Sequence, residues 1–129
     1  MTPVLFINCS RVPFLDLIMS RRKTFETRTR DTLRALVGQR VYLAETGNGR
    51  PTVRCSAVIR PPVVVCDRHT WDVMRKSTCV GVGSPYDWKP DTKAKYLYPI
   101  SAVVPCDPFT PPDGTRHGRV WMEYLAEIK

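Results

Sequence analysis

Residues 40–60 constrain the fold of this chain more than any other stretch. Arg40-Val-Tyr-Leu-Ala-Glu45 sets Val41 and Leu43 against polar neighbours, and Thr52 to Arg60 puts Val53, Cys55, Ala57 and Ile59 on one face. Period-two alternation is the signature of strands. Between the two runs lies Thr46-Gly-Asn-Gly-Arg-Pro51, whose Gly-Asn-Gly supplies a hairpin turn. An antiparallel hairpin at the centre of the chain argues against a regular parallel alternation of strands and helices. Twelve prolines in 129 residues belong mainly in loops and at strand ends.

The flanking segments extend this β reading. Val4-Leu5-Phe6-Ile7 is a continuous apolar run, expected as a first strand buried on both faces or closing a barrel. Val12, Leu15, Ile18 and Met19, broadened by Phe14 and Leu17, give a helical stripe that ends near Ser20, with Ser10 as its expected cap. From Lys23 to Arg30 the period returns to two, with Phe25, Thr27 and Thr29 on one side and Thr24, Glu26, Arg28 and Arg30 on the other. Val63–Val65 extends the sheet past Pro61-Pro62. Asp67 to Lys76 reads as a second short helix with Trp71 and Met74 on one face and Asp67 as cap. Ser77 to Ala94 is a long loop, of a kind that is commonly functional or mobile. Lys95 to Val104 is strand-like, Pro105 to Gly114 is a proline-rich loop, and Val120 to Ile128 is a closing element of open type. The expected class is mainly β with α, a small barrel of five to six strands with two short capping helices, and residues 1–129 form one domain.

Charge narrows the partners. The formal net charge is +8, which favours a polyanion such as nucleic acid. Between Ser20 and Arg34 stand six basic residues (Arg21, Arg22, Lys23, Arg28, Arg30, Arg34) and two acidic ones (Glu26, Asp31), so half of that charge lies in one short segment. Arginine forks suit phosphates and base edges, and a lysine at a helix–strand junction offers a mobile point charge. The plainer alternative is a solvated strand in which Glu26 pairs with Lys23 or Arg28. No apolar run approaches the ~20 residues of a membrane-spanning helix, and the N-terminus lacks a basic leader. A cytoplasmic protein with no membrane association is therefore expected. Five cysteines without a Cys-x-x-Cys pair fit reduced thiols, and Cys66-Asp-Arg-His69 finds no second pair to complete a metal site. Neither a metal nor a cofactor is expected, and a monomer is favoured.

The basic segment resembles a known family. A helix ending in a basic turn, then Arg22-Lys23-Thr24-Phe25-Glu26-Thr27-Arg28, then Gly38-Gln39-Arg40-Val41 and a hairpin, is similar to the ASCH domain with its Lys-Thr-x-Glu-x-Arg hallmark. Lys95 to Ser101 and the Pro105-to-Pro112 loop resemble the family's end more loosely. The resemblance implies a PUA-like β-barrel with a basic cleft beside the Lys-Thr-x-Glu-x-Arg strand, in a superfamily associated with RNA and modified nucleosides. It also implies a rival activity. Some ASCH proteins are amidohydrolases that deacylate N4-acetylcytidine with a lysine, a threonine and a distant glutamate, and others are reported as ribonucleases that use the same lysine. Here Lys23 matches the lysine, and Glu26 stands where the nucleophilic threonine would be.

Two sets of candidate residues follow. Lys23 and Glu26 are the candidates for catalysis, in a hydrolase acting on an acylated nucleoside or on RNA. Arg22, Lys23, Thr24, Arg28 and Arg30, with Tyr86, Trp88 and Lys89 from the long loop, are the candidates for holding RNA or a nucleotide. Neighbouring cations and burial lower a lysine's pKa, whereas the Glu26 carboxylate raises it. Tyr86 and Trp88 offer faces for base stacking, or alternatively plug the open end of the barrel. Tyr96 and Tyr98, two apart on a strand, share a face that is either core or cleft.

Overall fold

A computed structural model describes residues 2–118 and 120–124. The expected closing element therefore lies outside the described residues beyond position 124. Eight strands occur among the described residues: β1 (Thr2–Asn8), β2 (Phe25–Arg28), β3 (Arg40–Thr46), β4 (Thr52–Ile59), β5 (Val63–Val65), β6 (Lys95–Phe109), β7 (Thr115–His117) and β8 (Trp121–Tyr124). Three short helices accompany them: α1 (Phe14–Met19), α2 (Arg68–Val73) and α3 (Arg75–Thr78). The strand count exceeds the expected five to six because Thr115–His117 and the opening of the closing element also pair. No helix among the described residues is long and apolar enough to cross a membrane.

The strands run in the order β2-β6-β4-β3-β1-β8-β7, with β5 also on β6, and the mixed sheet curls into a half-barrel. Among the described strands only β1 and β3 are parallel neighbours, and the other ladders are antiparallel. The bend has a local cause. β6 is 15 residues long; Lys95–Pro99 pairs with β2 and β5, and Ile100–Phe109 pairs with β4 through two irregularities in register. Ala102 takes φ 51° in that stretch. Such bulges sharpen strand twist and let one strand serve two parts of a curved sheet.

The apolar run at the N-terminus behaves as its pattern demands. Leu5 and Ile7 join Leu15, Ile18, Val41, Leu43, Ala57, Ile59 and Tyr98 in the main core, while Val4 and Phe6 face Ala44, Val53 and Met122 on the opposite side. At the hairpin, Gly47 has φ +92°, and a Cβ there would stand 2.8 Å from both Asn8 Oδ1 and Ser10 Cβ. Only glycine fits.

Two helix boundaries differ from expectation. α1 begins at Phe14, after Pro13, with no side-chain cap, because the Ser10 N–H and hydroxyl both donate to Asn8 Oδ1 (2.9 and 2.7 Å). The second expected helix is broken at Met74 into α2 and α3. Its expected cap is present: Asp67 Oδ1 accepts from the Thr70 N–H at 2.8 Å.

Candidate functional site

β2 is four residues long and pairs only with β6, Glu26 opposite Tyr98 and Arg28 opposite Tyr96. Tyr98 is fully buried, so the face carrying Glu26 and Arg28 looks into the molecule. The period-two reading of this strand holds, but its charged side is the inner one. Lys23 is 2% exposed and Glu26 8% exposed. The solvated strand expected as the plainer alternative is thus excluded for these two groups.

Lys23 is anchored rather than mobile, which corrects the expectation for a lysine at a helix–strand junction. The chain leaves α1 through a tight turn in which Arg22 N–H and Lys23 N–H both donate to Leu17 O (2.9 and 3.0 Å) and Arg21 takes φ 64°. This turn sends Lys23 inward. Its Nζ donates to Thr78 O at 2.6 Å and lies 4.7 Å from the centre of the Phe14 ring. Burial lowers its pKa below the ordinary lysine value; Glu26 and Cys79 oppose that shift and Arg28 reinforces it.

Glu26 and Arg28 are incompletely satisfied. Glu26 Oε1 accepts from the Thr27 N–H at 3.0 Å, and its Oε2 stands 4.0 Å from Arg28 Nη2, at the limit of an ion pair. Glu26 Oε2 and Arg28 Nε are buried without a hydrogen-bond partner. Orphaned atoms of this kind are uncommon and call for an explanation. Both residues line a small cavity of about 90 Å³ with Asn8, Phe14, Lys23, Thr27 and Tyr86. Tyr86 meets Phe14 edge-to-face, ring centres 5.6 Å apart.

The structure therefore brings together Lys23, Glu26, Arg28 and Tyr86, and separates the other sequence candidates from them. Arg22 and Thr24 line an outer cleft of about 660 Å³ together with Arg21, Arg75, Lys76 and Cys79. Arg30 and Lys89 border a different hollow of about 650 Å³, which also carries Asp31, Asp87 and Asp91. Trp88 packs in a small core cluster against Trp71, ring centres 6.5 Å apart. Tyr98 belongs to the core and donates to Asp31 Oδ1, whereas Tyr96 is half-buried beside the Arg30 hollow.

Sequence reasoning missed four contributors. Phe14 carries only the signal of a helix stripe, and Asn8 lies outside the apolar run Val4–Ile7, as the first polar residue after it. Thr78 acts through a backbone carbonyl, for which no side-chain signal exists. Asp87 organises the long loop: its Oδ1 accepts from Trp71 Nε1 (2.7 Å), Arg75 Nη2 (2.8 Å) and Trp88 N–H (2.7 Å), and its Oδ2 from Gly83 N–H (2.8 Å). Burial alone would raise its pKa, but those four hydrogen bonds hold the carboxyl well below the usual range.

No family model matches the sequence, and no curated protein matches it. Solved structures do. The crystal structure of ASCH from Zymomonas mobilis has a TM-score of 0.68 at 19% identity, covering 84% of this chain and 73% of that one. Two single-residue variants of the same protein give TM-scores of 0.68 and 0.67 at 20% identity, each covering 84% of this chain. The chain has the ASCH fold, a small α+β half-barrel.

Proposed function

We propose that this chain, built on the ASCH fold, binds RNA or a nucleotide by admitting one polar edge of the ligand into the cavity between Lys23, Glu26 and Arg28. One observation carries the reading: Glu26 Oε2 and Arg28 Nε, buried and unpartnered, line the same small hollow. A free acceptor beside a free donor complements a base edge that presents an exocyclic amine next to a ring nitrogen or carbonyl. Glutamate accepts from the amine, and arginine donates to the acceptor. Lys23 adds a donor anchored at Thr78, and the Tyr86 and Phe14 rings supply apolar walls.

A hydrolase is the second reading, favoured by the lowered pKa of Lys23. A buried lysine whose neutral form is more accessible can take a proton at its Nζ, as a general base requires. The substrates of that reading are an acylated nucleoside such as N4-acetylcytidine, or RNA itself.

The test is a paired assay of wild type, Lys23→Ala and Glu26→Gln. Fluorescence anisotropy with a panel of short RNAs measures binding, and product analysis of the same RNAs and of N4-acetylcytidine measures turnover. Binding weakened at least tenfold in both variants, with every substrate intact, supports the binding module. Turnover that vanishes with Lys23 replaces it by the hydrolase. Wild-type affinity retained in both variants overturns the cavity as the site.

A further inference from the structure

We infer that the outer cleft between the end of α1 and α3 is a phosphate-binding track for a polynucleotide strand, distinct from the inner cavity and next to it. The inference rests on the reading of that cavity as a nucleotide site.

Its lining is Leu17, Arg21, Arg22, Thr24, Arg75, Lys76, Ser77 and Cys79: four cations and no carboxylate. Arg75 is already committed to Asp72 and Asp87. Arg21, Arg22 and Lys76 are exposed, and none of the three side chains has a hydrogen bond or ion pair within the described structure. A second hollow of similar size is built differently. There Arg30, Lys89, Lys93 and Lys95 alternate with Asp31, Asp87 and Asp91, so its charges largely offset one another. The cleft beside α1 thus concentrates positive charge with no carboxylate in its lining, in a concavity whose low-dielectric walls strengthen attraction for an anion.

The backbone holds this charge in place at some cost. Arg21 occupies a left-handed conformation at a helix end, where glycine is the usual choice. Cys79 does the same at the end of α3, on the opposite rim. The two rims are stitched together by the Thr24 N–H donating to Ser77 O at 2.9 Å.

The relation to the inner cavity fixes the class of ligand. Lys23 lines the cavity, while its neighbours Arg22 and Thr24 line the cleft. Likewise Thr78, which accepts from Lys23 Nζ, lies between Ser77 and Cys79 of the cleft. Residues adjacent in the chain thus line the two hollows. A strand with one nucleotide in the cavity therefore carries its adjoining phosphates to Arg21, Arg22 and Lys76. A mononucleotide has no group to place there.

The experiment compares a mononucleotide with an oligoribonucleotide of about six residues on wild type, Lys23→Met and the double variant Arg22→Ala/Lys76→Ala. Both positions of the double variant are exposed, and circular dichroism checks that it is folded. The expected result is an oligonucleotide affinity lowered at least tenfold in the double variant, with mononucleotide affinity within twofold of wild type. The log–log salt slope should also become shallower by about 1.4, from ~0.7 per phosphate contact on a single strand. An unchanged oligonucleotide affinity and slope in the double variant, with binding still lost in Lys23→Met, overturns the cleft and leaves the cavity standing. Equal loss of both ligands overturns it too, because cleft and cavity would then be one site. If wild type binds neither ligand, the cavity reading falls first and the track falls with it.

Discussion

Two lysines are buried among the described residues, and they are built alike. Lys23 Nζ donates to Thr78 O and lies over Phe14; Lys95 Nζ donates to Tyr86 O at 2.9 Å and lies 5.2 Å from the centre of the Trp71 ring. Lys23, just before β2, thus holds the end of α3, and Lys95, the first residue of β6, holds the middle of the loop that follows α3; burial lowers the pKa of both. They differ in the carboxylate beside them. Asp87, next to Lys95, accepts four hydrogen bonds, whereas Glu26, next to Lys23, keeps an oxygen with none. A satisfied buried network rigidifies, and an unsatisfied one costs stability unless a ligand completes it. The Lys95 neighbourhood holds the loop; the Lys23 neighbourhood keeps unpaired polar atoms.

The largest expected effect breaks the satisfied side. Asp87→Ala leaves Arg75 without its buried partner and orphans Trp71 Nε1 and two backbone N–H groups. Removing one member of a buried ion pair typically costs about 3 to 5 kcal/mol, read as a fall in the urea midpoint. Glu26→Gln should shift the midpoint by less than about 1 kcal/mol, because the amide can keep the bond from Thr27 and loses no complete ion pair. If the two variants were equally destabilised, the division into a structural and a functional carboxylate would fail.

Next come the lysines themselves. Lys95→Met should cost about 1 to 3 kcal/mol, since Tyr86 O is left unpaired, and should keep RNA affinity within about threefold. Lys23→Met likewise strands a carbonyl and removes a buried ammonium, so its stability should fall by a similar amount, about 1 to 3 kcal/mol. Its RNA affinity should fall at least tenfold. A reversed pattern, with Lys95→Met destroying binding, would place the ligand on the other side of the loop.

How far the sequence revealed this division depends on the kind of signal involved. Backbone geometry was legible: Val4–Ile7 buries both faces, the hairpin turns at Gly47, Asp67 caps α2, and the Lys-Thr-x-Glu-x-Arg segment forms a strand after a helix. The candidate site was legible as residue types, with Lys23, Glu26, Arg28 and Tyr86 converging on one cavity. Its orientation was not. Alternation says which residues share a face, and the usual rule then sends the charged face outward. Here Glu26 is paired opposite the buried Tyr98, and only that tertiary pairing turns the face inward. The roles of Thr78 O and Asp87 depend on contacts across 55 and 16 positions, and no local pattern encodes them.

Acidity offers a further way to sharpen the contrast. Because burial lowers the Lys23 pKa, its positive charge is lost at a pH below 10.5, the ordinary lysine value, as pH rises. Any share of RNA affinity that depends on that charge should decline through the same window. Arginine stays protonated throughout, so Lys23→Arg should flatten the profile even if it binds more weakly. Lys95 titrates in the same direction but away from the ligand, and Lys95→Met should leave the shape of the profile unchanged. Anisotropy from neutral pH up to 10.5 reads both, below the pH of about 12 to which the Tyr98 pKa is pushed up.

The smallest expected effect concerns the exposed cations around the Asp87 side of the loop. Lys89 is exposed, and its Nζ reaches Ser84 O at a long 3.4 Å. It borders the hollow whose lysines and Arg30 are offset by Asp31, Asp87 and Asp91. A surface charge separated from a polyanion by more than a Debye length of ~8 to 10 Å contributes little at ordinary salt. Lys89→Ala and Arg30→Ala should therefore each lower RNA affinity by less than about twofold and leave the salt slope unchanged. A loss as large as that of the α1 cleft variant would mean that RNA wraps both sides of the loop. The satisfied lysine neighbourhood would then belong to the binding surface as well.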